Sequence, residues 1–193
     1  MIVYDDVPLD KILILSALKE ETNNNIFLNK HNSKIKVIYT GVGKINATIA
    51  TLKACQLYPN LKTIINFGTA GSNTISKGEL VECTKFVQRD MDARALGFSL
   101  GETPYEEIPK LLEFKNKSLK HKKNIICGTG DSFCTKIDYD LVDMEAYAIA
   151  KICWISKINF ISYKYISDGG DAEEWKNNTS KGISKFKKII KTL

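Results

Sequence analysis

The sequence predicts an α/β fold in which a sheet is flanked by helices, and three observations lead there. Short β-rich runs alternate with amphipathic segments along the chain. Several of those runs are almost continuously apolar, as strands buried on both faces are. With 193 residues and 44% hydrophobic content, the chain can bury one sizeable core but not two. A single domain spanning residues 1–193 is therefore expected, and no internal repeat or linker interrupts it.

Taken in order, strands are expected at residues 11–15, 34–40, 63–67, 80–87, 124–127 and 159–166, each rich in Ile, Val, Leu or aromatics and bounded by polar or glycine-bearing turns. Residues 44–57 read as a helix with Ile45, Ile49, Leu52 and Ala54 as its apolar positions, and residues 142–156 as a second, rich in Ala and Ile; both would cover the sheet. In residues 172–193, Ile183, Phe186, Ile189, Ile190 and Leu193 recur at helical spacing with lysines opposite. A helix docked on the core explains that better than one lying on a membrane.

Composition narrows the setting. No run reaches the roughly 20 apolar residues of a membrane span, and residues 1–10 carry Asp5, Asp6 and Asp10 where an export signal would be basic, so a soluble, cytoplasmic protein is expected. Cys55, Cys83, Cys127, Cys134 and Cys153 are odd in number, widely spaced and set among aliphatic residues, which reads as reduced thiols in core positions. His31 and His121, the only histidines, lie in polar stretches, and no metal site is expected. The net charge of +6 comes mostly from lysines at 115–123 and 181–191, which no aromatic platform accompanies; these are solvated faces, and no nucleic-acid partner is expected.

In such a sheet, reactive groups gather where strands end. Four ends here are polar or glycine-rich: Ser16-Ala17-Leu18-Lys19-Glu20-Glu21, Thr40-Gly41-Val42-Gly43-Lys44, Asn66-Phe67-Gly68-Thr69-Ala70-Gly71 and Ser167-Asp168-Gly169-Gly170-Asp171. The second lacks both phosphate-loop spacing and the third glycine of a dinucleotide fingerprint, where Asn46 stands, so Gly41 and Gly43 read as a tight turn. Gly68 and Gly71 would allow backbone to approach a ligand. Asp168 closes a strongly apolar run, a setting that suits a general acid, although Ser167 or Asp168 would also serve as a helix N-cap. Glu145 stands at the start of an apolar helix and Glu20 and Glu21 follow the first strand, where a helix dipole alone would favour carboxylates.

Together and in this order, the segments resemble the nucleoside phosphorylase and nucleosidase superfamily, most closely its methylthioadenosine/S-adenosylhomocysteine nucleosidase branch. Val142-Asp143-Met144-Glu145-Ala146 and Ile166-Ser167-Asp168 carry the resemblance most specifically, and Gly128-Thr129-Gly130-Asp131-Ser132-Phe133 adds to it. The resemblance implies a three-layer αβα, nucleoside phosphorylase-like fold with a mixed central sheet. It implies hydrolysis of the N-glycosidic bond of a 5′-modified adenosine, releasing adenine without a cofactor. Asp168 would protonate N7 of the leaving purine, Glu21 would activate the water, and Glu145 beside Met144 would hold the ribose 2′ and 3′ hydroxyls. Phe133 would stack on the base, the backbone at Cys134 would read its edge, and Thr69 would lie near the sugar, with Leu18, Ala70, Gly71, Asp143 and Ser167 completing the substrate site.

These roles suit the bond being broken, because positive charge builds on the sugar and negative charge on the base. Hydrolysis is favoured over phosphorolysis: carboxylates follow the first strand where phosphorylases carry an arginine-bearing turn, and Asn66 stands where they have a second arginine. A nucleoside-binding module without catalysis is the rival from another class. Leu18 replaces a usual methionine and Lys164 a common arginine, while residues 88–98 follow the family loop only loosely. In relatives that region completes the 5′ pocket from a neighbouring subunit, so the resemblance also implies a homo-oligomer, a dimer in the simplest case.

Overall fold

The computed structural model describes residues 11–114 and 124–193; the acidic start of the chain, the lysines at 115–123 and His121 lie outside the described residues. The chain runs β1 (Ile12–Ser16), α1 (Lys19–Thr22), β2 (Phe27–Leu28), β3 (Lys34–Tyr39), α2 (Lys44–Leu57), β4 (Thr63–Gly71), β5 (Leu80–Cys83), β6 (Lys85–Gln88), a 3-10 turn (Arg94–Leu96), β7 (Leu111–Glu113), β8 (Ile126–Thr129), β9 (Leu141–Asp143), α3 (Ala146–Ile155), β10 (Asn159–Asp168), α4 (Ala172–Asn178) and α5 (Ile183–Ile190).

The sheet is mixed. β1 lies parallel between β3 and β4, and β4 pairs in parallel with β10 along its whole length. Beyond the end of β1, Gly71 of β4 meets Val142 of β9 in antiparallel register, and the sheet continues through β8, β6 and β7. β5 pairs antiparallel with β10. Alternate residues of the central strands enter two different cores, as a pleated strand buried on both faces requires. Leu13, Leu15, Ile64 and Phe160 pack on one side with Ala146, Ile149 and Cys153 of α3, while Ile12, Ile14, Ile65, Phe67, Ile161 and Tyr163 pack on the other with Ile183, Phe186 and Ile190 of α5. This two-sided burial makes the three layers.

The C-terminal periodicity resolves into two helices, α4 and α5, instead of one. α5 docks on the core: Phe186 is fully buried, stacked on Phe67 at 4.0 Å and edge-on to Phe27 at 5.1 Å. Among the described residues no helix is long and apolar enough to cross a membrane. The expected strand at 80–87 is two, parted at Thr84, which lets β5 pair with β10 and β6 with β8. The helix expected from 142 starts at Ala146, because Leu141–Asp143 form β9.

α2 has the predicted bounds but, of the four expected apolar positions, only Ala54 is buried. Ala47, Thr51 and Ala54 turn inward, on a helix that packs against α3, and Ile45, Ile49 and Leu52 are exposed. The cysteines also divide: Cys83, Cys127 and Cys153 are buried, but Cys55 and Cys134 are only partly so, and Cys134 lines a cavity.

Candidate active site

Loops at the strand ends enclose a cavity of about 310 Å³. Leu18, Glu21, Thr69, Ala70, Gly71, Phe133, Cys134, Asp143, Met144, Glu145 and Asp168 all line it, so residues up to 150 positions apart in the reading of the sequence, roughly by count along the chain, meet in one wall. Ser167 lies just behind that wall, buried against Asp168.

Glu21 sits in the single turn of α1 and turns back over the end of β1. Its Oε2 accepts hydrogen bonds from Ser16 Oγ (2.9 Å), Ala17 N (3.0 Å) and Leu18 N (3.2 Å), and its Oε1 accepts from Thr69 N (2.9 Å) and Thr69 Oγ1 (3.0 Å). The bond to Leu18 N is the ordinary service of a first-turn acid; the bonds to Thr69 tie the same carboxylate to β4. The group is buried and faced by donors alone, an environment made for a carboxylate acting only as acceptor.

Asp168 reaches the cavity through a bulge. Ile166 pairs with Ala70 and Asp168 with Gly71, so Ser167 is an extra residue that re-aims the strand end. Oδ1 of Asp168 accepts from Gly170 N (2.7 Å) and Oδ2 from Ser167 Oγ (2.6 Å). The capping role weighed for Asp168 falls to Asp171, which accepts from Glu173 N and Glu174 N at the start of α4. Asp168 is thereby left to the cavity.

Gly68 and Gly71 serve close approach, but to the protein's own carboxylates. A Cβ at position 68 would meet Glu21 Oε1 at 2.9 Å, and one at 71 would meet Asp168 Oδ1 at 2.9 Å.

The third acid stands at the elbow between β9 and α3. Glu145 occupies the N-cap position without capping, and its Oε1 accepts instead from Gly43 N at 2.9 Å. Gly41 and Gly43 both hold positive φ, so the tight turn they form also presents that N–H. Burial pushes the Glu145 carboxyl up to about 8; the nearby charge of Asp143 and of Glu21 adds to this, against relief from Lys164 and the Gly43 N–H.

Asp143 lines the same wall with its oxygens engaged: Oδ1 accepts from Thr129 Oγ1 (2.6 Å) and Cys127 Sγ (3.3 Å), Oδ2 from Ala146 N (2.8 Å), and Lys164 Nζ lies 2.7 Å from Oδ2. Burial alone would raise this carboxyl, but Lys164 and the hydrogen bonds hold it below its ordinary value. Burial alone would lower Lys164, and Asp143 more than reverses that. The ion pair is almost completely buried, 1% exposed on each side chain.

At the other end of the cavity, Phe133 is half exposed and meets Trp175 of α4 edge-on, with ring centres 6.2 Å apart. Arg89 holds the loop that carries Phe133 through Ser132 O, Ser132 Oγ and Gly130 O. Lys44 ties that loop to the Gly41–Gly43 turn: its N–H donates to Asp131 Oδ1 (2.8 Å) and its ammonium pairs with Asp90.

Ala17, Val42, Ser132, Val142, Gly170 and Trp175 line the cavity outside the expected set. Lys164, noted only as a departure from a common arginine, supplies the buried cation. Nothing in local pattern marks Trp175; its distance of seven residues from Asp168, one helix turn beyond a two-glycine loop, is the sole hint.

Comparison with known proteins agrees with the geometry. The family model described as the phosphorylase superfamily matches residues 16–193. A 5′-methylthioadenosine/S-adenosylhomocysteine nucleosidase of Staphylococcus haemolyticus is 34% identical, over 86% of this chain and 86% of the relative. One from Buchnera aphidicola is 31% identical, over 94% of this chain and 90% of the relative. Among solved structures, futalosine hydrolase of Helicobacter pylori superposes with a TM-score of 0.78 at 22% identity, covering 92% of this chain and 94% of that one. The nucleosidase of the same organism, complexed with a pyrrolidine inhibitor, gives 0.78 at 21%, with the same coverage. At these identities the structures speak for a shared fold.

Proposed function

The chain belongs to the phosphorylase superfamily and to its 5′-methylthioadenosine/S-adenosylhomocysteine nucleosidases, and from that premise we infer that it hydrolyses the N-glycosidic bond of a 5′-modified adenosine and releases adenine. The observation that carries the mechanism is the meeting of Glu21, Glu145 and Asp168, from three separate elements and all buried, in one cavity.

In this reading Asp168 gives its proton to N7 as the C1′–N9 bond breaks, so that the bonding pair leaves with a neutral base. Ser167 and Gly170 N hold that carboxyl in place. Water attacks C1′ and its proton passes to Glu21, whose five donors fix it in one orientation. Glu145 accepts from the ribose 2′ and 3′ hydroxyls. Phe133 stacks on the base, with Trp175 edge-on beside it, and the Cys134 backbone reads the purine edge.

A homodimer is part of the proposal. Residues 88–113 contribute nothing to the cavity lining of their own chain, while Leu96 and Tyr105 within them are exposed. Ile45, Ile49 and Ile155 also border a second concavity of about 470 Å³ between α2 and α3. Pairing two chains would cover these apolar surfaces. The free thiols suit a reducing compartment, and we place the protein in the cytoplasm.

The test is base release from methylthioadenosine, S-adenosylhomocysteine, adenosine and inosine, each with and without phosphate. Adenine release that ignores phosphate is expected; release only with phosphate would make the chain a phosphorylase, and none at all would leave a binding module.

A further inference from the structure

Trp175 makes one hydrogen bond that the assigned roles do not use. Its indole Nε1 donates a hydrogen bond to Thr69 Oγ1 at 2.9 Å, and Thr69 Oγ1 in turn lies 3.0 Å from Glu21 Oε1. The direction of this chain is fixed by chemistry. An indole N–H can only donate, and a carboxylate can only accept. With Trp175 donating into it, the Thr69 hydroxyl is left with its own hydrogen pointing at Glu21.

The placement of Trp175 is itself determined. Asp171 caps α4 through Glu173 N and Glu174 N, and Thr179 Oγ1 donates to Trp175 O, which fixes the helix and the residue on it. α4 follows directly on the loop that carries Asp168, and Gly170 in that loop has φ +93° and packs its Cα against the Cys134 carbonyl. One rigid segment therefore holds Asp168 at one end and reaches Glu21, through Thr69, from the other.

We propose that Trp175 is a positioning residue for hydrolysis: it orients the Thr69 hydroxyl so that Glu21 keeps the geometry needed to take the proton of the attacking water. This rests on the nucleosidase reading of Glu21. The indole ring has a second, separable task as cavity wall, in edge-on contact with Phe133. Trp175→Phe keeps an aromatic wall and removes only the donor, so it isolates the relay. Trp175→Leu removes both.

The experiment compares kcat and KM for base release across Trp175→Phe, Trp175→Leu, Thr69→Val and the double variant Trp175→Phe/Thr69→Val. Losing one neutral hydrogen bond should lower kcat of Trp175→Phe about three- to tenfold with KM nearly unchanged. Trp175→Leu should raise KM as well. The double variant should be no slower than Thr69→Val alone, because the indole acts only through that hydroxyl. Wild-type kcat in Trp175→Phe, a rise in kcat, or losses that simply add in the double variant would each overturn the proposal.

A second readout does not depend on turnover. With Trp154→Phe removing the other tryptophan, the single indole N–H resonance of Trp175 should shift in Thr69→Val, and an unmoved resonance would refute the relay. If the wild-type chain released no base while that resonance did shift, the nucleosidase reading of Glu21, and not the hydrogen-bonded chain, would be what had failed.

Discussion

Replacing Lys164 with methionine removes the cation from a site that buries four carboxylates, those of Glu21, Asp143, Glu145 and Asp168. The Lys164 ammonium lies 2.7 Å from Asp143 Oδ2, with both side chains 1% exposed. Methionine fills much of the same volume, so the loss is chiefly electrostatic. Breaking one side of a buried pair typically costs about 3–5 kcal/mol, because the remaining charge has no partner and no water. For a chain of this length that is a fall in Tm of about 6–20 °C.

The pH dependence identifies the cause. In the wild type, Asp143 is held below its ordinary value, so its stabilising contribution is present at neutral pH and is lost as pH falls through its folded value. In Lys164→Met the same carboxyl is buried without its cation, and its folded value moves above the unfolded one. The variant then loses stability as pH rises. The gap between wild type and variant should therefore be widest near pH 8 and narrow towards pH 4. Asp143→Asn should behave oppositely: it leaves a buried lysine unpaired, and raising the pH relieves that by favouring the neutral amine. In the double variant Lys164→Met/Asp143→Asn the amide oxygen keeps the bond from Ala146 N while the Thr129 hydroxyl turns to accept from the amide nitrogen, and most of the loss should be recovered. Thermal unfolding across pH decides it, and a Lys164→Met deficit independent of pH, or a double variant as unstable as the worse single one, would refute the argument.

Asp168→Asn should retain the fold, since Ser167 Oγ can turn to accept from the new amide while Gly170 N keeps its acceptor, yet lose on the order of 10² to 10⁴ in kcat; near-wild-type turnover would remove Asp168 from the acid's role. Glu21→Gln should also stop hydrolysis but at a cost to stability of about 1–3 kcal/mol, because its amide nitrogen must face donors at Thr69 or at Ser16, Ala17 and Leu18; a Tm equal to wild type would mean these bonds are weaker than their geometry. Glu145, raised to about 8 by burial, contributes stability at low pH that is lost as pH rises through that value, so Glu145→Gln should be the more stable protein at pH 9 and gain little at pH 4, while binding nucleoside more weakly; equal Tm values at pH 9 would contradict it.

The long elements were legible because burial on both faces leaves its mark in composition: Ile64-Ile65 in β4 and Phe160-Ile161 in β10 feed opposite cores, and no other pattern accommodates both. β2, β7 and β9 were not, since two or three residues carry no period. The face of α2 misled for a physical reason. Hydrophobicity marks what avoids water, not which neighbour covers it, and the buried stripe runs through Ala47, Thr51 and the expected Ala54 while Ile45 and Ile49 face outward. The acids of the site could be named from motifs, but the contacts that hold them could not. Thr69 reaches Glu21 across 48 positions, Gly43 reaches Glu145 across 102, and Trp175 reaches Thr69 across 106.

Those long-range bonds also bear on why a single lysine suffices in a site with four buried carboxylates, of which Asp168 accepts from Ser167 Oγ and Gly170 N. Glu21 is stabilised by five hydrogen bonds and Asp143 by an ion pair with three more donors, whereas Glu145 has one backbone N–H. The acid with the fewest protein partners is the one whose carboxyl burial raises most plainly, and it is the one assigned to the ribose hydroxyls. Two hydroxyl donors from a bound sugar would complete its shell and draw it back towards the ionised form. Nucleoside binding near neutral pH should then release a proton, and affinity should rise between pH 6 and 8. Calorimetric titration with a non-hydrolysable nucleoside in buffers of different ionisation enthalpy measures that proton directly. Binding without proton release would mean either that Glu145 is already ionised before the sugar arrives or that the sugar is held by some other group.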